Sequence, residues 1–133
     1  MRNPNQTAKP PQELLKFYKR KHFFFSKYDA GILIDDEEGW FSVTPEPIAN
    51  FTAYFVEKFP NAIVVDGCCC VGGNLIQFAL RENVNKVYGV ELNKERISYA
   101  EHNCCVVYDV PKKKVEFINK SITEADIAGA LKI

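Results

Sequence analysis

Two acidic residues, Asp66 and Glu91, each close a short run of apolar, β-favouring residues, "AIVVD" and "KVYGVE". They stand 25 residues apart, and the loop after the first reads "GCCCVGGN". A carboxylate at the second position accepts both hydroxyl protons of a ribose, the contact used in dinucleotide and adenosyl sites. Gly72 and Gly73 let the backbone approach a ligand closely. The loop is not G-x-G-x-x-G, which speaks against a nicotinamide dinucleotide and its pyrophosphate. An acid directly at the end of the first strand favours S-adenosylmethionine, whose ammonium group a carboxylate steadies. Acids exposed after strands are common, so ordinary solvated carboxylates remain the alternative on spacing alone.

These residues need a parallel sheet to bring them together. From residue 62 the chain alternates: "AIVVD" as strand, "GGNLIQFALRE" as helix, "KVYGVE" as strand, "NKERISYAEHNCC" as helix capped by Asn93, "KVEFIN" as strand. "TEADIAGALKI" ends the chain as a short helix. Such alternation predicts parallel pairing with right-handed crossovers, and ligands at the carboxyl ends of the strands. Upstream, "QELLKFYKRKHFFFSKYDAG" reads as one or two short helices closing at Gly31, and "ILIDDEEGWF" as a loop. "TPEPIANFTAYFVEKF" reads as an amphipathic helix, with Thr44 as cap and Pro45 in the first turn. Its apolar face is Ile48, Phe51, Phe55 and Phe59. The polar, proline-bearing stretch 1–11 reads as a disordered lead.

The bulk properties narrow the rest. The chain has 133 residues, room for one modest domain. Seventeen basic and 17 acidic residues balance to zero, so no overall field draws it to a polyanion. The distribution is uneven: seven Lys/Arg and one acid precede residue 29, and six acids without a base follow to Glu46. No apolar run is long enough to span a membrane. Five cysteines, at 68, 69, 70, 104 and 105, form no C-x-x-C pair; they read as small buried apolar residues of a reduced protein, and no metal site is expected.

"EGWFSVTPE" at 38–46 followed by "VVDGCCCVGGNLIQFAL" at 64–80 resembles the trimethylguanosine synthase family of RNA cap guanosine-N2 methyltransferases. "FFSKYDAGI", "ISYAEHNC" and "VEFI" extend the likeness over residues 14 to 121. The resemblance implies a Rossmann-like core that uses S-adenosylmethionine, part of whose domain spans 45–133, behind a helical extension at 12–44. It implies methyl transfer to N2 of 7-methylguanosine-capped RNA, namely snRNA and snoRNA, in the nucleus and also in the cytoplasm. Carried over by position, Asp66 lies beside the methionine end of the cofactor and Glu91 holds the ribose. Thr44 contacts the cofactor carboxylate, Asn74 lines the loop with Gly72 and Gly73, and Phe25 covers the cofactor. Lys19, Arg20 and Lys21 face cap phosphates. Each has a plainer alternative: Thr44 as a helix cap, Phe25 as core, the basic run as a solvated face.

The chain also departs from the family pattern. Cys68-Cys69-Cys70 replaces Phe-Cys-Gly, which puts a side chain at Cys70 where backbone of positive φ is expected. Ser121 stands where the family has an aspartate that recognises adenine. No Ser-Pro-Pro-Trp motif occurs, and Trp40 is the one tryptophan. The catalytic residues are therefore unassigned, and the sequence reads as stopping short of the cap-stacking wall with about half the sheet absent. On that reading this chain binds cofactor weakly and does not methylate capped RNA alone. A non-catalytic remnant that binds adenosyl cofactor or RNA is the alternative, and an NAD-type oxidoreductase the less favoured one.

Overall fold

The structure, a computed structural model, describes residues 10–34 and 37–131. Most of the expected lead at 1–11 lies outside the described residues. Three parallel strands, β1 (Ala62–Asp66), β2 (Val84–Val90) and β3 (Val115–Ile118), form one sheet in the order β1-β2-β3. Val64 pairs with Val87 and Asp66 with Gly89, while Val90 pairs with Ile118. The helices α5 (Gly73–Ala79) and α6 (Lys94–His102) make the crossovers. Asn93 caps α6 as expected, its side chain accepting from the backbone N–H groups of Glu95 and Arg96 at 3.0 Å.

One face of the sheet is the core. Val64 and Val87 pack with Leu75, Ile76 and Ala79 of α5, and with Ala100, Cys104 and Val107 further on. The opposite face carries Ile63 and Val65 of β1, then Tyr88 and Val90 of β2, by the alternation of side chains along paired strands. The short α7 (Ile127–Leu131) touches it where Tyr88 Oη donates to the Ala130 carbonyl at 3.4 Å. Ile63 and Val65 stay exposed beside it.

The N-terminal extension folds onto the core. Two single-turn helices, α1 (Leu15–Tyr18) and α2 (Lys21–Phe24), lead to a 3-10 turn at Tyr28–Ala30, which Gly31 closes with φ +111°. Phe24, Tyr28 and Trp40 pack ring against ring in the interior. A buried amide fastens this layer. Asn103, at 0% exposure, accepts from Leu33 N–H at 2.8 Å and donates to the carbonyls of Leu33 and Val71 at 3.0 and 2.9 Å. Glu46 makes a second tie, accepting from Ser26 N–H, Ser26 Oγ and Tyr108 Oη.

Two upstream expectations need correction. Glu37–Ser42, read as loop, is the helix α3, because Gly39 and Trp40 turn into the core. The next helix, α4, runs Glu46–Tyr54, shorter than expected, with Pro45 rather than Thr44 at the N-cap and no side-chain cap. Its apolar face also points the other way. Ala49 and Ala53 are buried, while Ile48, Phe51, Phe55 and Phe59 are each more than half exposed. The cause is close packing. A Cβ on Gly73 would lie 2.8 Å from Val43 Cγ2 and 2.9 Å from the Thr44 carbonyl, so the entry to α4 presses against α5. Only small side chains on α4 fit such an approach.

Candidate cofactor site at the strand ends

Parallel pairing places Asp66 and Glu91 on neighbouring strands at the same edge, one closing β1 and the other directly following β2. The loop between Asp66 and α5 wraps round Glu91. Its carboxylate is buried and accepts from Cys70 N–H at 3.0 Å and Asn93 N–H at 2.9 Å, with Arg96 at 3.9 Å. Two oxygens offer about four lone-pair sites, so acceptor capacity remains for ligand hydroxyls. Cys69 N–H donates to Val90 O at 2.9 Å and ties the loop to β2.

Cys70 itself takes the left-handed conformation expected of the missing glycine, with φ +50°, and the strain is not passed to Gly67. A non-glycine residue there costs roughly 1–2 kcal/mol, which offsets about 1 kcal/mol from burying its side chain. Cys70→Gly should therefore unfold at an equal or higher temperature than the parent. Cys104→Gly, at a fully buried position in the π-helical turn Asn103–Val107 where φ is not positive, should lose about 2 kcal/mol. Thermal unfolding of the two variants checks this; equal losses would show that Cys70 is unstrained.

Asp66 is mostly buried, and burial pushes its carboxyl up to about 6, against the pull of the Cys68 and Leu75 backbone N–H groups. Its Oδ2 is buried without a hydrogen-bond partner. A raised folded-state value for an acid means that the folded chain holds a proton the unfolded chain has lost between about pH 4 and 6. Ionised Asp66 thus costs the folded state on the order of 3 kcal/mol at pH 7, a cost removed as pH falls through 6 towards 4. A cationic group beside Oδ2 reverses the sign by favouring the ionised form.

Between the strand ends lies a cleft of about 180 Å³ lined by Gly67, Cys68, Glu91, Leu92, Lys120, Ser121 and Ile122. It is below the size usual for a whole small-molecule ligand and suits one ring system. Ser121 thus shares the cleft with Glu91, its Oγ 2.9 Å from Thr123 Oγ1. Leu92 and Ile122, both exposed, are apolar walls that sequence reasoning missed; each directly follows a strand-end position already singled out, which is the signal available. Asn119 was missed too. Its amide donates to the carbonyls of Glu91 and Leu92 at 2.9 and 3.0 Å and fixes the turn carrying one wall.

The second group stands at the start of α5. Asn74 Nδ2 donates to Thr44 Oγ1 at 2.9 Å, so these two come together although 30 residues apart. Gly72, with φ +99°, makes the turn into α5. Phe25 sits elsewhere, packed in the core with 2% of its surface exposed. Lys21 is engaged within the extension, donating to Tyr18 Oη at 3.3 Å and lying 4.0 Å from Asp29, whereas Lys19 and Arg20 are exposed. Trp40, at 4% exposure, is a core residue and offers no stacking face. Among the described residues no group of three or more His, Cys, Asp or Glu could hold a metal, and no helix is long and apolar enough to cross a membrane.

A profile described as RNA cap guanine-N2 methyltransferase matches residues 61–130. The chain belongs to that family. Trimethylguanosine synthase of Schizosaccharomyces pombe is 33% identical over 115 residues, covering 86% of this chain and 46% of that protein. Trimethylguanosine synthase of Saccharomyces cerevisiae is 43% identical over 96 residues, 69% of this chain and 30% of that protein. The chain thus spans less than half the length of these curated family members. Among solved structures, a putative methyltransferase from Porphyromonas gingivalis W83 superposes with a TM-score of 0.65 at 15% identity, over 89% of this chain and 30% of its own. An RNA methyltransferase from Salinibacter ruber, solved with S-adenosyl-L-homocysteine, gives 0.52 at 23% identity, over 64% and 54%. At those identities both establish the fold alone, a Rossmann-like methyltransferase core.

Proposed function

We propose that this chain binds S-adenosylmethionine at the strand ends and serves methyl transfer to N2 of a 7-methylguanosine RNA cap, on snRNA and snoRNA, in the nucleus. The observation that carries the cofactor reading is the buried, unpartnered Oδ2 of Asp66, one residue from a cleft whose wall includes the Glu91 carboxylate. An ammonium group satisfies that oxygen and repays its burial, and the vicinal hydroxyls of a ribose fit the remaining acceptor sites of Glu91. Leu92 and Ile122 flank an aromatic base between apolar walls, and Ser121 offers it one hydroxyl. Thr44 and Asn74 present polar atoms near the start of α5 for a carboxylate. Phe25 supports the extension from beneath, and Lys19, Arg20 and Lys21 supply charge for cap phosphates. The cofactor contributes an electrophilic methyl on a sulfonium; the residues contribute position and exclusion of water, which dominate such transfers. Cap specificity rests on the family.

Calorimetric titration with S-adenosylhomocysteine, which keeps the ammonium and the ribose, tests the cofactor reading. Binding in the micromolar to millimolar range is expected at pH 7.5, because Ser121 supplies a neutral hydroxyl where a charged partner adds about 1.5–3 kcal/mol. Affinity should fall as pH drops below 6 and Asp66 takes up a proton, and Asp66→Asn should abolish this pH dependence. No heat of binding at millimolar ligand would remove the cofactor reading.

A further inference from the structure

We propose that the outer face of the N-terminal extension is a stacking platform for single-stranded RNA, distinct from the strand-end cleft. The row begins at Phe41, 56% exposed, whose ring centroid lies 5.2 Å from that of Phe17. Phe17 lies 6.0 Å from Phe24, and Phe24 lies 6.0 Å from Phe23, which is 38% exposed. Phe24 is buried against Trp40 at 5.8 Å, so the row is anchored to the core and its outer rings are held in place.

Cations lie beside these rings. Lys16 Nζ is 5.1 Å from the Phe17 centroid, and the Arg20 guanidinium is 4.7 Å from that of Phe23. Lys16, Lys19 and Arg20 are exposed and form no ion pair among the described residues. Among the acids of the neighbouring segments, Asp29 is engaged by Lys21 and His22 and Glu38 by Arg96, whereas Glu13 and Glu37 are exposed and form no ion pair among the described residues. Residues 15–21 carry Lys16, Lys19, Arg20 and Lys21 and no acid, so this stretch is locally positive on a chain of zero net charge.

Rings interleaved with cations are what single-stranded nucleic acid uses. Each base stacked on an aromatic side chain contributes about 1–3 kcal/mol, with little regard to sequence, and the cations meet the intervening phosphates. A duplex keeps its base faces covered and gains only the phosphate contacts. A membrane would favour a broader apolar face, and an acidic protein surface would need the cations and not the rings. That the polymer is RNA rests on the function proposed above; the surface itself does not depend on the cofactor cleft.

The test is fluorescence anisotropy with an uncapped, 5′-hydroxyl oligoribonucleotide about ten nucleotides long, the same sequence as duplex, and poly-glutamate. The single strand should bind at least tenfold tighter than the duplex. Phe23→Leu combined with Phe41→Leu keeps apolar bulk and removes the rings; it should weaken single-strand binding tenfold or more. Lys16→Gln with Arg20→Gln should lower the slope of log affinity against log salt by about 1.4, two contacts at about 0.7 each. Titration of the leucine variant with S-adenosylhomocysteine should match the parent, since neither ring touches the cleft. Normal cofactor binding with equal affinity for duplex and single strand, or with no loss in the leucine variant, overturns the platform alone. Poly-glutamate bound as tightly as the oligonucleotide also overturns it. Retained oligonucleotide binding without cofactor binding would support the platform and remove the cofactor reading alone.

Discussion

Replacing Asn103 with leucine should destabilise the chain by about 3–5 kcal/mol, enough to unfold a domain of this size at ambient temperature. The side chains are close in volume, so the loss is not a cavity. Asn103 satisfies the N–H and carbonyl of Leu33 and the carbonyl of Val71 in a fully buried setting. Leucine leaves all three backbone groups unpaired, and each such group costs about 1–3 kcal/mol. The damage should be directional, because the amide joins the N-terminal extension to the turn before α5. Hydrogen exchange should show early loss of protection at Leu33, whose N–H donates to Asn103, while β2 remains protected. Chemical denaturation with a midpoint close to the parent would mean that water replaces the amide, and the stated role would be lost.

The second large effect is on ligand affinity. Glu91→Gln should weaken S-adenosylhomocysteine binding by roughly 10- to 100-fold, the scale of one charge-assisted hydrogen bond. The amide keeps the length and loses the charge, and its NH₂ must face the N–H of either Cys70 or Asn93, donor against donor. Glu91→Ala should go further, removing the carboxylate that both N–H groups donate to and loosening the loop 67–70. The pair of variants separates two roles. If Gln binds like the parent and Ala does not, Glu91 shapes the loop without holding ribose. If both bind like the parent, Glu91 has neither role.

What could be read from the sequence follows from where the information is local. The strand-end acids were legible because parallel alternation fixes which ends meet, and Asp66 and Glu91 close their strands whatever else packs round them. The left-handed turn at Cys70 was legible by comparison with a glycine. The helix α4 was legible as a helix but not in its orientation: 3.6-residue periodicity finds a stripe, not the side that meets the core. Here tight contact with α5 admits Ala49 and Ala53 and turns the large residues away. The segment before it was misread because its acids and glycine suggest a loop, while one buried ring, Trp40, is enough to hold a helix. Asn103 gave no signal, since a buried amide looks like any polar residue at a helix end until its three long-range partners are in place. Asn119 was silent for the same reason, whereas Leu92 and Ile122 were marked only by their places next to Glu91 and Ser121.

The outward stripe of α4, with Ile63 and Val65 of β1, bears on how the chain responds to denaturant and heat. With 47% apolar residues, a chain of 133 residues would be expected to expose much new apolar surface on unfolding. Part of that surface is already in water: Ile48, Phe51, Tyr54, Phe55, Phe59 and Ile63 are each more than half exposed. The denaturant slope and the heat-capacity increment scale with newly exposed area, so both fall below the values chain length suggests. Unfolding of the 133-residue chain should accordingly be broader and its stability curve flatter than for a chain of this length with that stripe buried, and anything that covers the stripe should steepen both.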